Sequence, residues 1–292
     1  MKLNGILQGL FIILIIQSCA TKKLTEEGKT AYEAGDYESA LNAWEEVIEK
    51  TESKGNKADS VIYYKAGMAA MELDELKKAR DYLETAEYLE FSSPKLYATL
   101  VEINKTVDNL SKEINALESY REKYPDEEKI NAMTVRLFET YLESEQWEKA
   151  TEIWPEIESQ AQSDAELLAG YLTVNKNLEN DSLCDTLAGQ ILEIKPNNKT
   201  ALEWYAKKYF WEAEDLYVEE MKAYKNNRTT SQYDRLLKKL DEAYPTFEKS
   251  RDYFLKLYEL DPKPEYAKFL GNIYTRLQEE EKAEDFYEKA EE

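Results

Sequence analysis

Apolar residues recur every three or four positions along almost the whole of this chain, and no later stretch is apolar enough to make the centre of a compact globule. Such spacing predicts amphipathic helices, each burying one stripe and wetting the opposite face. The exception comes first. Met1 and Lys2 precede an apolar run, Ile6 to Ile16, that is cut off by Gln17-Ser18-Cys19. A spanning helix needs about 20 apolar residues, so a basic start with a short apolar middle predicts an export signal.

Composition reinforces the helical reading. With 9 Gly and 7 Pro in 292 residues, the chain lacks the turn formers that closely spaced strands require. The expected class is all-α.

Laid against itself, the chain repeats. Gly28 to Ala40 is followed by Trp44 and Val47, and near the end Gly271 to Tyr274 is followed by Ala283, Tyr287 and Ala290. Intermediate copies carry Gly67, Ala79, Leu83 and Ala86, then Leu117, Tyr120 and Pro125, then Trp147, Ala150, Trp154 and Ile157, then Cys184, Ile191 and Pro196. The small position of the second helix gives the series Ala40, Ala79, Glu113, Ala150, Cys184, with steps of 39, 34, 37 and 34. Small residues there let two antiparallel helices approach closely, while aromatics such as Tyr37, Trp44, Trp147, Trp154 and Tyr287 are expected to fill the core beside them. Glu113 breaks the rule, which predicts a looser third repeat.

These anchors resemble the tetratricopeptide repeat, a helix-turn-helix unit of about 34 residues. The resemblance implies an α-α superhelix, a solenoid of stacked hairpins, over repeats 1 to 5 at residues 24–197 and a terminal repeat at 263–292. Between them, residues 198–262 admit two readings. Leu202, Tyr205, Tyr209, Ala213, Leu216, Met221 and Tyr224 run at helical intervals to Asn226-Asn227, predicting an elongated hairpin whose second arm covers about 231–260. Alternatively, Cys184, Tyr217 and Ser250 step by 33 and 33, with Pro245 marking a turn between two degenerate repeats. The elongated hairpin is preferred, since Tyr217 is a poor small anchor and Pro245 can start or kink a helix.

The signal also carries a resemblance, to a bacterial lipobox, with Cys19 as the lipid attachment site, residues 1–18 as the signal peptide and 19–23 as a tether. Gln17 departs from the usual small residue. It implies an outer-membrane lipoprotein of the bacterial cell envelope, facing the periplasm or the cell surface and similar to the envelope tetratricopeptide proteins of Bacteroidetes. Several acyl chains on one cysteine suffice for stable anchoring. The net charge of −22 argues against nucleic acid and against anionic lipid surfaces, so membrane contact is expected through the lipid alone. Cys184, left without a partner, reads as a small core residue.

Chemistry is sparse. The chain has no His, which removes the usual general base and the commonest metal ligand. No calcium loop is present, and Gly28-Lys29-Thr30 lacks the earlier glycine of a phosphate loop, since position 23 is Lys23. No catalytic residue, metal site or cofactor is expected, and the chain reads as a non-enzyme.

What the repeat resemblance implies instead is a partner-binding wall on the first helix of each hairpin. In this register the wall includes Lys29, Tyr32, Tyr64, Met68, Glu102, Lys105 and Lys176. It lacks the Lys and Asn clamp by which some tetratricopeptide domains hold a peptide carboxylate. Tyr and Met there suit an extended or helical segment of an envelope protein. The alternative is a lipoprotein that captures a glycan or other small ligand in a nutrient-uptake system, a reading weakened by the short loops.

Overall fold

The computed structural model describes residues 20–291, so the apolar run and Cys19 lie outside the described residues. Within them the chain is helical and contains no strand. None of these helices is long and apolar enough to cross a membrane. The expected tether is helical from residue 20 on, because α1 covers 20–33. Then follow α2 (Tyr37–Glu52), α3 (Ser60–Glu72), α4 (Leu76–Tyr88), α5 (Pro94–Thr106), α6 (Leu110–Lys123) and α7 (Ile130–Glu143). The remainder is α8 (Trp147–Ala161), α9 (Ala165–Asn177), α10 (Asp181–Ile194), α11 (Lys199–Asn226), α12 (Thr230–Leu260), α13 (Pro264–Arg276) and α14 (Glu280–Glu291). The fold is all-α, of the tetratricopeptide solenoid class with one elongated hairpin. Two compact units divide it, one ending at Thr140 and one beginning at Tyr141.

Six turns share one geometry, and it explains the spacing of the sequence anchors. Five residues before each anchor the backbone turns left-handed, at Gly35 (φ 79°), Asp74 (59°), Asp108 (54°), Glu145 (56°), Glu179 (57°) and Gln278 (60°). The next amide then donates to the carbonyl five residues back, as Asp36 does to Ala31 and Glu75 to Ala70, both at 2.9 Å, and Asn109 to Asn104 at 2.8 Å. This closure satisfies the orphan carbonyls of the preceding helix end. Only one of the six residues is glycine. The others hold a conformation that disfavours a side chain by roughly 1 to 2 kcal/mol.

In the first unit, helix contact is set by what is missing. A Cβ on Gly28 would lie 2.6 Å from Nε1 of Trp44, and one on Gly67 would lie 2.7 Å from Cγ of Leu83. Each pair is sixteen residues apart, a bare first helix under a large side chain of the second. The Ala79 carbonyl closes the second contact, 3.1 Å from a Cβ on Gly67, and Ala40 and Ala79 are both fully buried.

The third hairpin departs from expectation. Glu113 does not loosen it. The carboxylate is buried, and Arg136 of α7 donates to both of its oxygens, at 2.6 Å from Nε and 3.1 Å from a terminal nitrogen. A charge at the close-approach position survives because it is paired and hydrogen-bonded.

The second unit reuses the device, with Cys184 at the small position of the α9–α10 hairpin. Cys184 sits on the second helix with Sγ 3.8 Å from the Leu172 carbonyl, and burial pushes its thiol up to about 11. In the terminal hairpin, Gly271 lies under Tyr287, whose Cε1 would meet a Cβ at 2.6 Å. The core expectation for the aromatics needs correcting here. Tyr287 is 38% exposed and donates to Oδ1 of Asn272 at 2.9 Å, so one face packs while the hydroxyl stays wet. Tyr37 and Trp147 are only half-buried, whereas Trp44 and Trp154 are core.

The long hairpin is formed by α11 and α12, of 28 and 31 residues. Asn198 caps the first arm and Thr229 the second. α12 continues through Pro245, where no left-handed residue occurs, so the reading with a turn there is wrong. Phe210, Phe247, Phe254 and Tyr266 fill the core at the base. There Ser250, fully buried, donates its hydroxyl to the Ala206 carbonyl at 2.7 Å.

Candidate functional site

The first-helix faces of α1, α3 and α5 in the first unit enclose a cleft of about 330 Å³. It is lined by Lys29, Tyr32 and Glu33 of α1, Trp44 of α2, Tyr64, Lys65 and Met68 of α3, and Lys95 of α5. The glycine at 28 shapes it, because the Trp44 indole can lie against α1 only where no side chain intervenes. Trp44 is 1% exposed, and its indole N–H has no hydrogen-bond partner.

The aromatic lining is ordered by ring contacts. Tyr32 meets Tyr37 edge-on at 5.1 Å and Trp44 at 5.8 Å. Tyr64 stacks on Phe91 at 4.3 Å. Burial, with Glu72 second, pushes the Tyr32 phenol above its usual range, and burial does the same for Tyr64. Both therefore present neutral hydroxyls at physiological pH.

Three lysines rim this apolar floor. Lys29 faces Glu33 at 3.9 Å, an exposed and weak pair. Lys65 lies 5.9 Å from the centroid of the Trp44 ring. Among the described residues, Lys65 and Lys95 have no carboxylate within ion-pair distance.

Of the seven residues named from sequence, Lys29, Tyr32, Tyr64 and Met68 come together along this cleft. Met68 contributes mostly from beneath, being 6% exposed, with its sulfur 3.8 Å from the Thr99 hydroxyl. Glu102 and Lys105 are exposed on α5 but do not line the cleft, since they lie two and three turns beyond Lys95. Lys176 is exposed in the last turn of α9, in the second unit. Sequence reasoning missed Lys65, Lys95 and Glu33. Lys65 follows Tyr64 directly and Glu33 follows Tyr32, so a neighbour rule would have found both.

A second cleft, of about 420 Å³, was also missed. It lies between α11 and α13 in the second unit, lined among others by Trp211, Phe269, Asn272 and Arg276. Trp211 is 53% exposed. Arg276 is held by both oxygens of Glu214, at 2.8 and 2.6 Å, with its guanidinium 4.3 Å from the Tyr217 ring centroid. Asn272 follows Gly271 as Lys29 follows Gly28, so the glycine register points to it.

Family models of the tetratricopeptide repeat match residues 25–93 and 269–292, the two segments whose glycine, alanine and aromatic anchors are described above. The chain carries tetratricopeptide repeats. A candidate protein-binding protein from Bacteroides ovatus is similar in structure, with a TM-score of 0.52 and 18% identity, covering 76% of this chain and 99% of that one. Tetratricopeptide repeat proteins from Parabacteroides merdae (TM-score 0.41, 14% identity, 93% of this chain and 92% of that one) and Bacteroides fragilis (TM-score 0.37, 17% identity, 87% and 98%) are more distant in shape. No curated protein matches the chain.

Proposed function

We propose that this tetratricopeptide protein is a non-enzymatic scaffold, anchored to the bacterial envelope by a lipid on Cys19, that holds a segment of a partner protein in the cleft between α1, α3 and α5. Tetratricopeptide domains bind protein partners in general. The observation that carries the specific reading is the cleft's make-up, an aromatic and methionine floor under a lysine rim. An apolar side chain of the partner would enter against Tyr32 and Tyr64, above the buried Trp44, and backbone carbonyls or carboxylates would meet Lys29, Lys65 and Lys95. Sugar capture is less well served, because Tyr64 already spends one ring face on Phe91 and Tyr32 sits close to Trp44.

A photo-crosslinking residue at Tyr64, placed in the native membrane, tests this. One discrete envelope-protein adduct is expected there, absent from a control at Val107, which is 40% exposed and outside the cleft. Equal labelling at both positions, or none at Tyr64, overturns the assignment. Cys19→Ser is expected to move the protein into the soluble fraction, and membrane retention would remove the lipid from the proposal.

A further inference from the structure

The outer half of the α11–α12 hairpin reverses the charge of the chain. Residues 222–239 contain Lys222, Lys225, Arg228, Arg235, Lys238 and Lys239 against one carboxylate, Asp234, a local charge of +5 in a chain of −22. Arg235 is committed to the buried Glu220, and Lys239 to Glu242. Lys222, Lys225, Arg228 and Lys238 are exposed and, among the described residues, have no carboxylate within ion-pair distance.

This end of the hairpin is also apolar where it has no cover. Tyr233 and Leu237, four residues apart on one face of α12, are 45% and 44% exposed. α13 ends at Arg276, which reaches Glu214, and α11 continues for 12 more residues to Asn226. At 1.5 Å per residue the tip stands about 18 Å beyond that contact.

The complementary surface lies on the same chain. Beside α14 is a cleft of about 470 Å³ lined by Glu280, Glu284, Glu288 and Glu291 together with Tyr287. These four carboxylates are exposed, and among the described residues none has a cation within ion-pair distance. α14 starts at the turn where Gln278 donates to the Tyr244 hydroxyl and packs Phe286 on Tyr258 farther from the tip. The cleft thus runs away from the tip of its own hairpin.

We propose that the basic, Tyr233- and Leu237-bearing tip of one copy docks into the acidic cleft beside α14 of a second copy. The occupant is argued from charge, since each surface carries the unpaired groups that the other lacks, and each adds an exposed aromatic. Such a contact is heterologous, so it builds a ring or an open row of copies, not a closed pair. Exposed charges on both sides make it sensitive to salt.

Sedimentation velocity of the full chain in a non-ionic detergent, across a wide concentration range at low and high salt, tests it. Larger species are expected at low salt and their loss at high salt. The triple variant Lys222→Glu, Lys225→Glu, Arg228→Glu should weaken association at least about tenfold, and so should Glu284→Lys with Glu288→Lys. Both alter exposed positions, and unchanged helical circular dichroism and melting confirm folding. Mixing the two variants places reversed tips opposite reversed clefts in one orientation and should restore association. A monomer under all conditions, association indifferent to the tip reversal, or failure of the mixture to associate overturns the proposal. Tip-dependent binding to vesicles of phosphatidylglycerol and phosphatidylcholine, without self-association, would assign the tip to a membrane surface instead.

Discussion

The short hairpins of the first unit and the long hairpin of the second solve one problem in opposite ways. Helices α3, α4 and α5, of 13 residues each, are about 20 Å long. They gain closeness from absent atoms, with Gly67 and Ala79 letting backbones meet under Leu83. The arms of 28 and 31 residues gain it mainly from phenyl rings, Phe210, Phe247 and Phe254, with Ala206, Ala213, Ala243 and Ser250 as small contacts between them. A short hairpin must fix its crossing with one tight point, whereas a long one averages over many turns. Once an arm outruns its neighbours, however, it has only the other arm to pack on, and polar pairs such as Glu220–Arg235 take over.

That contrast can be broken most severely in the long hairpin. Phe254→Ala, at a fully buried site, should cost about 3 to 5 kcal/mol. Hydrogen exchange should show the loss concentrated in α11 to α14, because a stacked repeat passes strain mainly to its neighbours. A uniform loss over all helices would mean that the rings are not a local core.

Next comes the charge that replaces a small anchor in the first unit. Arg136→Met leaves Glu113 buried without its partner and should cost about 3 kcal/mol. Adding Glu113→Ala restores the small residue used at the same position elsewhere, and the double variant should recover most of the loss. A double-mutant cycle in chemical denaturation reads this, and additivity of the two changes would show that the pair is not coupled.

Overpacking tests the tight points. Ala40→Leu forces a larger side chain into a fully buried contact and should cost roughly 1 to 3 kcal/mol. The same measurement of the melting curve would show no effect if Ala40 faced a void.

The turns carry the smallest expected effect. Glu179→Gly relieves a left-handed residue and should gain up to about 1 kcal/mol, while Gly35→Ala should lose about as much. Equal and opposite shifts in the denaturation midpoint support the shared geometry. Two losses would show that Glu179 has a role beyond the turn.

Much of this fold can be read from sequence because its anchors are backbone requirements. Gly28, Gly67 and Gly271 mark where a Cβ has no room, and the helical period shows which face is buried. The long hairpin was legible from the absence of any breaker before Asn226-Asn227. How Glu113 is accommodated at the close-approach position was not, since Arg136 lies 23 residues away and no local pattern announces a partner across helices. The cleft was legible in part for the same reason. Lys29 and Met68 each follow a register glycine directly, and Tyr32 and Tyr64 lie one turn from it on the same face, whereas Lys95 enters only because Pro94 starts α5 where it does. Trp211 belongs to a helix with no glycine to index it, so nothing short of the packing of α11 on α13 draws attention to it.

The shared turn makes each hairpin a cassette. Since the chain makes the same left-handed turn and closing hydrogen bond at Asp74 and at Asp108, residues 74–107 could be excised and the ends joined at matching junctions. Duplication in frame at the same sites is equally permitted, so length is a quantity this architecture can change by recombination alone, at the cost of re-forming contacts such as Met68 on Thr99 and Tyr64 on Phe91 with the new neighbour.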